Sequence, residues 1–303
     1  MDRVEGAGVS TQSEVASERV VSSGSPGQGC AVELAGVTQR FVRDGGRQAF
    51  TALRDVSLQV RAGEFVSLVG PSGCGKSSLL WIVAGLVKPS AGQVEVLGKP
   101  VSGVNREVGI IIQQDALLPW RDARENVALP LRFRGMSKRE ARARADDWLN
   151  RVGLRGFASS YPHQLSGGMR KRVAIAATLA FEPKVLLLDE PFSALDVQTR
   201  NLMENDLLDL WTGSGQSVLF ITHDLEEAVG LSDRVVVMTA SPGTVLADHK
   251  VDLARPRDLL EDRSHADFLH VYSQIWDGLR REVMQAHNND TALRAEDRGQ
   301  KRE

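Results

Sequence analysis

Long apolar runs are missing from this chain of 303 residues: none approaches the roughly 18 residues needed to cross a bilayer, so work at a membrane would require a partner to hold the chain there. The N-terminus lacks a basic start followed by an apolar stretch, and no secretory signal is expected. Cysteine is scarce. Cys30 and Cys74 are too few for a disulfide framework and read as reduced thiols of a cytosolic protein. Charge of one sign is also lacking: the net is -2, without the basic footprint of a nucleic-acid binder, and no nucleic-acid partner is expected.

What is present divides into three stretches. Residues 1–29, rich in Gly, Ser, Gln and Val, show neither helical nor strand periodicity and are expected to be a disordered tail. Residues 30–255 read as the main domain, and 256–303 as a C-terminal helical extension ending, from about Asn288, in a polar tail. Strands are expected at 65–69, 94–97, 108–112, 185–188, 218–221 and 235–238. Several are apolar throughout, and helical patterns lie between many of them, which predicts an α/β fold with a mostly parallel sheet.

Residues 115–181 interrupt that rhythm and read as a helical insert. Ser137 with Glu140 forms a capping-box pattern, and Ala145, Trp148, Leu149 and Val152 follow at i, i+3, i+4, i+7. Beyond the main domain, Phe268, Val271, Tyr272, Ile275, Trp276 and Leu279 share one face of an amphipathic helix from Asp267 on.

Gly70, Pro71, Ser72, Gly73, Cys74, Gly75, Lys76 and Ser77 fit the pattern G-x-x-x-x-G-K-[ST], after an apolar run and before the buried-helix pattern that begins with Ser78. The glycines let backbone N–H groups approach phosphate oxygens, and the helix N-terminus adds partial positive charge. In that chemistry Lys76 reaches the β and γ phosphates and the Ser77 hydroxyl ligates Mg²⁺. An accidental glycine-rich turn is the alternative, and the strand before and helix after disfavour it.

The run 184–190 is an apolar strand ending in Asp189 and Glu190. At a strand's carboxyl end, where α/β sheets gather ligands, Asp189 is a candidate for holding Mg²⁺ and Glu190 for orienting or deprotonating the attacking water. A second apolar strand ends at His223, a candidate for contacting the γ-phosphate and positioning Glu190. Either end, taken alone, also reads as a solvated exit from the core.

Leu165, Ser166, Gly167 and Gly168 open a helix pattern, with Ser166 where an N-cap belongs. These residues stand some twenty before the acidic strand end, with the phosphate loop earlier, and the order resembles the ABC (ATP-binding cassette) ATPases over about residues 32–250. Met169 and Ser78 stand where many relatives carry Gln and Thr, and neither removes a catalytic group.

The resemblance implies a phosphate-loop NTPase core with an antiparallel β subdomain and the helical insert, using ATP and Mg²⁺. It implies that Phe41 stacks on adenine, with Phe50 a competitor, and that Gln113 senses Mg²⁺ and the γ-phosphate, with Gln114 leaving the register open. Asp196 falls in a loop, 193–196, that crosses a dimer interface. Two copies are expected head to tail, each phosphate loop capped by Ser166, Gly167 and Gly168 of the other.

Further partners implied are transmembrane permease subunits and, indirectly, a solute-binding protein, with the chain peripheral at the cytoplasmic face of the inner membrane. Leu117, Leu118 and Trp120 either line the groove where a permease helix docks or pack inside the insert. These residues, with 241–243 and 254–257, are similar to the nitrate/sulfonate/taurine importer branch. A soluble ABC ATPase acting on DNA or ribosomes is the alternative, disfavoured by the lack of coiled-coil insertions. A switch without turnover is disfavoured by the presence of both Glu190 and His223.

Overall fold

Strands that are apolar at every position need cover on both faces, and the computed structural model supplies it. It describes residues 29–43 and 48–300, with side chains described for 29–42 and 49–284. The tail expected at 1–29 lies outside the described residues except for Gly29. The chain begins with two long strands, β1 (Cys30–Arg43) and β2 (Gln48–Arg61), then β3 (Phe65–Val69) and helix α1 (Lys76–Val83). Next come β4 (Ala91–Val96), β5 (Lys99–Pro100) and β6 (Val108–Ile111).

Three helices follow: α2 (Ala123–Phe133), α3 (Lys138–Arg151) and α4 (Gly167–Leu179). Sheet and helix then alternate through β7 (Val185–Asp189), α5 (Val197–Trp211), β8 (Ser217–Ile221), α6 (Leu225–Leu231) and β9 (Arg234–Met238). β10 (Val245–Lys250), α7 (Leu259–Asp262) and α8 (Ala266–Gln300) complete the described chain.

The central sheet has the order β10-β9-β3-β8-β7-β6, parallel except for β10. Alternate side chains of each strand serve opposite faces. Phe65, Leu186, Leu188 and Phe220 pack with α2, α3, α4 and α5. Val66, Leu68, Val185, Leu187 and Ile221 pack with α1 and a four-stranded antiparallel sheet, β2-β1-β4-β5. Fully burying such a side chain contributes about 1.5–3 kcal/mol.

All six expected strands are present, with ends shifted by up to three residues: 94–97, for example, became Ala91–Val96, because Leu97 and Gly98 turn at φ 54° and 69°. β1, β2, β5 and β10 were not located by pattern, although β1, β2 and β5 lie in the antiparallel sheet that the resemblance implied. In β1 and β2 the pairing shifts between Leu34 and Val37 and again on to Arg40, with Gly36 at φ 60° and Asp55 at φ 49°, so the two-residue alternation is broken. β10 is an edge strand with only half-buried inward positions.

The capping box is formed: Ser137 accepts from the Glu140 N–H and Glu140 accepts from the Ser137 N–H. Ala145, Trp148, Leu149 and Val152 are buried as expected. On α8, Phe268, Ile275 and Leu279 are buried and Val271 and Tyr272 pack beside them, but Trp276 is 41% exposed. The helix also runs on to Gln300, through the segment expected as a polar tail. Within that segment Ala292, Leu293, Arg294, Ala295 and Glu296 are residues of high helix propensity.

A buried charge cluster joins α5, α6 and the C-terminal segment. Arg263 pairs with Glu204, which is fully buried, at 2.6 Å, while Arg200 approaches Glu227 only to 3.8 Å. Burial pushes both carboxyls up to about 7. The direct guanidinium contact favours ionised Glu204, so Glu227, where burial and the charges of Glu204 and Asp224 outweigh the hydrogen bond donated by the Thr222 hydroxyl at 2.6 Å, is the one that keeps its proton.

A folded-state pKa raised from 4.5 to about 7 gives stability that is complete below pH 4.5 and lost as pH rises through 7. Urea unfolding at pH 5 and pH 8 should show a loss on the order of 2 kcal/mol from this group, and Glu227→Gln should remove most of that slope. An equal slope in the variant would refute the assignment.

Candidate active site

Parallel pairing aligns strand ends. Leu68 of β3 pairs with Ile221 of β8, Ile221 with Asp189 of β7, and Leu188 with Ile111 of β6. The residues that follow these ends are the loop 70–77, Thr222 and His223, Asp189 and Glu190, and Ile112 and Gln113. Four motifs far apart in sequence therefore share one edge of one sheet.

The loop 70–77 turns through Gly73 at φ 75° and Gly75 at φ 99°. Gly75 is the N-cap of α1 and offers no side chain to its first turn, which leaves those N–H groups open to an anion. A β-carbon on Gly75 would lie 2.6 Å from Leu53 Cδ2 and 3.0 Å from the Ala52 carbonyl oxygen, so space as well as φ favours glycine. Ser72 and Gly73 are exposed, Ser77 and Ser78 half-buried, and Pro71 buried.

The Lys76 ammonium lies within the loop, donating to the carbonyl oxygens of Gly70 at 2.8 Å and Pro71 at 3.0 Å. Cys74 is buried beneath the loop with its Sγ 3.8 Å from Lys76 Nζ, and burial pushes its thiol up, so only its backbone faces the phosphate side.

The Ser77 hydroxyl donates to Asp189 Oδ1 at 3.0 Å. Burial holds the Asp189 carboxyl above the usual carboxylate range, against the Ser77 hydrogen bond, with the Glu190 charge adding to the rise. A buried carboxylate beside a hydroxyl is a pair of hard oxygen donors, which suits Mg²⁺. Among the described residues no cluster of three or more His, Cys, Asp or Glu side chains is arranged to hold a metal.

Glu190 adopts φ 45°, the left-handed region, a strain of about 1–3 kcal/mol for a residue with a side chain. Its neighbours fix it there: its N–H donates to the Ile221 carbonyl at 2.9 Å, and its carbonyl accepts from the Ser193 hydroxyl at 3.0 Å. His223 Nδ1 sits 3.3 Å from Glu190 Oε2 on a ring that is largely exposed. Asp189, Glu190, Ser77 and His223 are thus one constellation.

Other candidates stand apart from it. Phe41 and Phe50 are directly opposed on β1 and β2 and share a face, so the aromatic position is a cross-strand pair rather than one ring. Gln113 and Gln114 are both exposed after β6. Ser166 caps α4 by accepting from the Met169 N–H at 3.3 Å. Among the described residues no hydrogen bond or ion pair joins 166–168 to the loop 70–77.

Those glycines lie instead by the start of α5: a β-carbon on Gly167 would meet Leu195 at 3.9 Å, and one on Gly168 would meet Thr199 at 2.8 Å. Asp196 caps α5, and the Thr199 N–H that it accepts lowers its carboxyl below the usual range.

Lys171 was missed by sequence reading. It is 1% exposed and donates to the carbonyls of Ile112 and Gln113 at 3.2 and 2.9 Å, with Asp115 at 3.2 Å. Burial lowers its pKa and Asp115 opposes that shift. It ties the Gln113 loop to the helix capped by Ser166; a lysine between two arginines on a helix gives no sign of burial.

Sequence and structure comparisons agree on the kind of protein this is. The profile of the ABC transporter family matches residues 53–193. An ABC transporter ATP-binding protein of Methanocaldococcus jannaschii is 45% identical over 255 residues, 84% of this chain and 93% of that one. The taurine import ATP-binding protein TauB of Yersinia pestis is 50% identical over 199 residues (66% and 78%), and the nitrate import ATP-binding protein NrtD of Synechocystis is 42% identical over 234 (77% and 87%).

A dimeric post-hydrolysis structure of the ATP-binding cassette MJ0796 bound to ADP and Pi superposes with a TM-score of 0.66 at 36% identity, covering 74% of this chain and all of that one. No helix among the described residues is long and apolar enough to cross a membrane. With the loop 70–77, the acidic strand end and the capped 166–168 turn in one fold that such relatives share, the chain belongs to the ABC transporter ATPases and is an ATP-binding, ATP-hydrolysing subunit.

Proposed function

We propose that the chain powers an ABC importer: it binds Mg-ATP, pairs with a second copy, and couples closure and hydrolysis to solute uptake through a separate permease. The observation that carries this reading is the separation within one chain between the phosphate loop and the 166–168 turn, which lies against the start of α5. A protomer holding both halves of an ATP site without joining them needs a partner copy to complete it. The dimeric form of the MJ0796 cassette supports the same arrangement.

In this reading the open N–H groups at the start of α1 and the Lys76 ammonium hold the β and γ phosphates. Ser77 and Asp189 would hold Mg²⁺, with Gln113 reaching it from the end of β6; bound there, the ion offsets phosphate charge. Glu190 Oε2 takes a proton from, or orients, the attacking water, while His223 fixes that carboxylate and faces the γ-phosphate. The Phe41 and Phe50 pair offers the adenine a stacking surface. Asp196 and the loop 193–196 carry the contact between protomers.

Trp120 is 70% exposed while Leu117 packs half-buried on the core, so of the expected docking residues Trp120 is the one free to meet a permease helix. The TauB and NrtD relatives support a nitrate, sulfonate or taurine-type anion as cargo. That anion would pass through the permease, delivered by a solute-binding protein, with this chain peripheral at the cytoplasmic face.

Lys76→Ala should weaken ATP binding by about 10- to 100-fold, the worth of lost charge-assisted bonds, as read by fluorescent-nucleotide titration. Unchanged affinity would remove the phosphate-loop assignment. Glu190→Gln should keep ATP binding and lower turnover by about 10²- to 10⁴-fold. With ATP it should sediment as a dimer, and a variant that stays monomeric would overturn the paired reading.

A further inference from the structure

The phosphate loop rests on a turn that no catalytic motif includes. Between β9 and β10 the chain turns through Ser241, Pro242 and Gly243, and Gly243 is buried directly against the loop. A β-carbon on Gly243 would lie 2.0 Å from the Cys74 carbonyl oxygen, a contact with backbone that no side-chain rotation relieves. Met238, at the end of β9, contributes from the same side: a β-carbon on Gly70 would meet its Cβ at 3.1 Å.

The turn is itself clamped from two directions. Gly243 donates its N–H to the Ala52 carbonyl at 2.9 Å and accepts from the Arg54 N–H at 3.0 Å, a parallel bridge to β2 beside Leu53. Leu53 and the Ala52 carbonyl are also the nearest atoms to Gly75, so β2 and the turn meet beneath consecutive residues of the loop. Thr239 closes the turn by accepting from the Thr244 N–H at 2.9 Å. On the other side the Ala240 N–H donates to Glu282 Oε2, on α8, at 2.8 Å.

From this continuity, we infer that the 239–244 turn sets the height of the Cys74–Gly75 backbone, and that Glu282 of the C-terminal helix is a positioning residue for nucleotide binding. The inference rests on the reading of 70–77 as the triphosphate site. Neither Gly243 nor Glu282 touches the nucleotide. They act through the direction of the loop's N–H groups, and charge-assisted bonds to phosphate are lost steeply when such groups tilt. The C-terminal helix, outside the residues matched by the family profile, thereby takes part in ATP affinity.

The test uses full-length protein and compares wild type with Gly243→Ala, Glu282→Ala and Glu282→Gln. Glu282→Gln keeps an oxygen that accepts from Ala240. Expected results are a rise in ATP Kd and KM of about tenfold for Gly243→Ala and about threefold to tenfold for Glu282→Ala, with kcat within about twofold, and near-wild-type values for Glu282→Gln.

Melting curves separate this from a loss of fold, which would lower kcat and the active fraction without a KM shift. If Gly243→Ala does not fold, the two Glu282 variants decide alone. Glu282→Ala with wild-type affinity, or Glu282→Gln as impaired as Glu282→Ala, overturns the inference. A wild-type chain that fails to bind ATP overturns instead the reading of the loop.

Discussion

Parallel register is the constraint on which the rest of the site depends. Side-by-side pairing of β3, β8, β7 and β6 brings Val69, Ile221, Asp189 and Ile111 to one edge, and each chain segment leaving that edge carries a functional group. A slip of one residue in β7 would turn its Leu186 and Leu188 from one core to the other and carry Asp189 away from Ser77. The hydrophobic pattern therefore fixes the 3.0 Å contact between Ser77 and Asp189 as firmly as any polar interaction does. Chemistry and packing are specified together.

The same edge explains why strain and poorly solvated charge gather there. Glu190 holds a left-handed backbone only because Ile221 and Ser193 bond its two peptide groups. Burial holds the Asp189 carboxyl above the usual carboxylate range, a shift that a cation there would oppose. Behind the edge, Arg200 links the start of α5 to Asp224, the N-cap of α6, at 3.3 Å, which ties the segment after Asp196 to the segment after His223.

Much of this was legible in the sequence, for identifiable reasons. The loop 70–77 needs particular residues at fixed spacing, and strands buried on both faces announce themselves as unbroken apolar runs. β1 and β2 do not: register shifts and the positive φ of Gly36 and Asp55 scatter their alternation. Lys171 and Gly243 were illegible for a different reason. Their roles are defined by carbonyl oxygens of Ile112, Gln113 and Cys74, which belong to distant segments, and no local pattern encodes an approach between backbones. The continued α8 was masked by its polarity, although its helix formers were in view.

A phosphate loop is usually considered from the ligand's side, yet its shape is set from beneath. Buried Cys74, the β2 strand at Ala52 and Leu53, and the turn at Gly243 leave no space in which the 74–75 peptide can drop. That lack of space matters because anion binding by backbone N–H groups depends on their convergence, and convergence cannot be restored by side-chain rotation. Each of the three supports comes from a different layer: the antiparallel sheet, the loop itself, and the turn held by α8. On the reading of 70–77 as the triphosphate site, a displacement of the C-terminal helix relative to the antiparallel sheet would be felt at the loop through the turn that Glu282 holds.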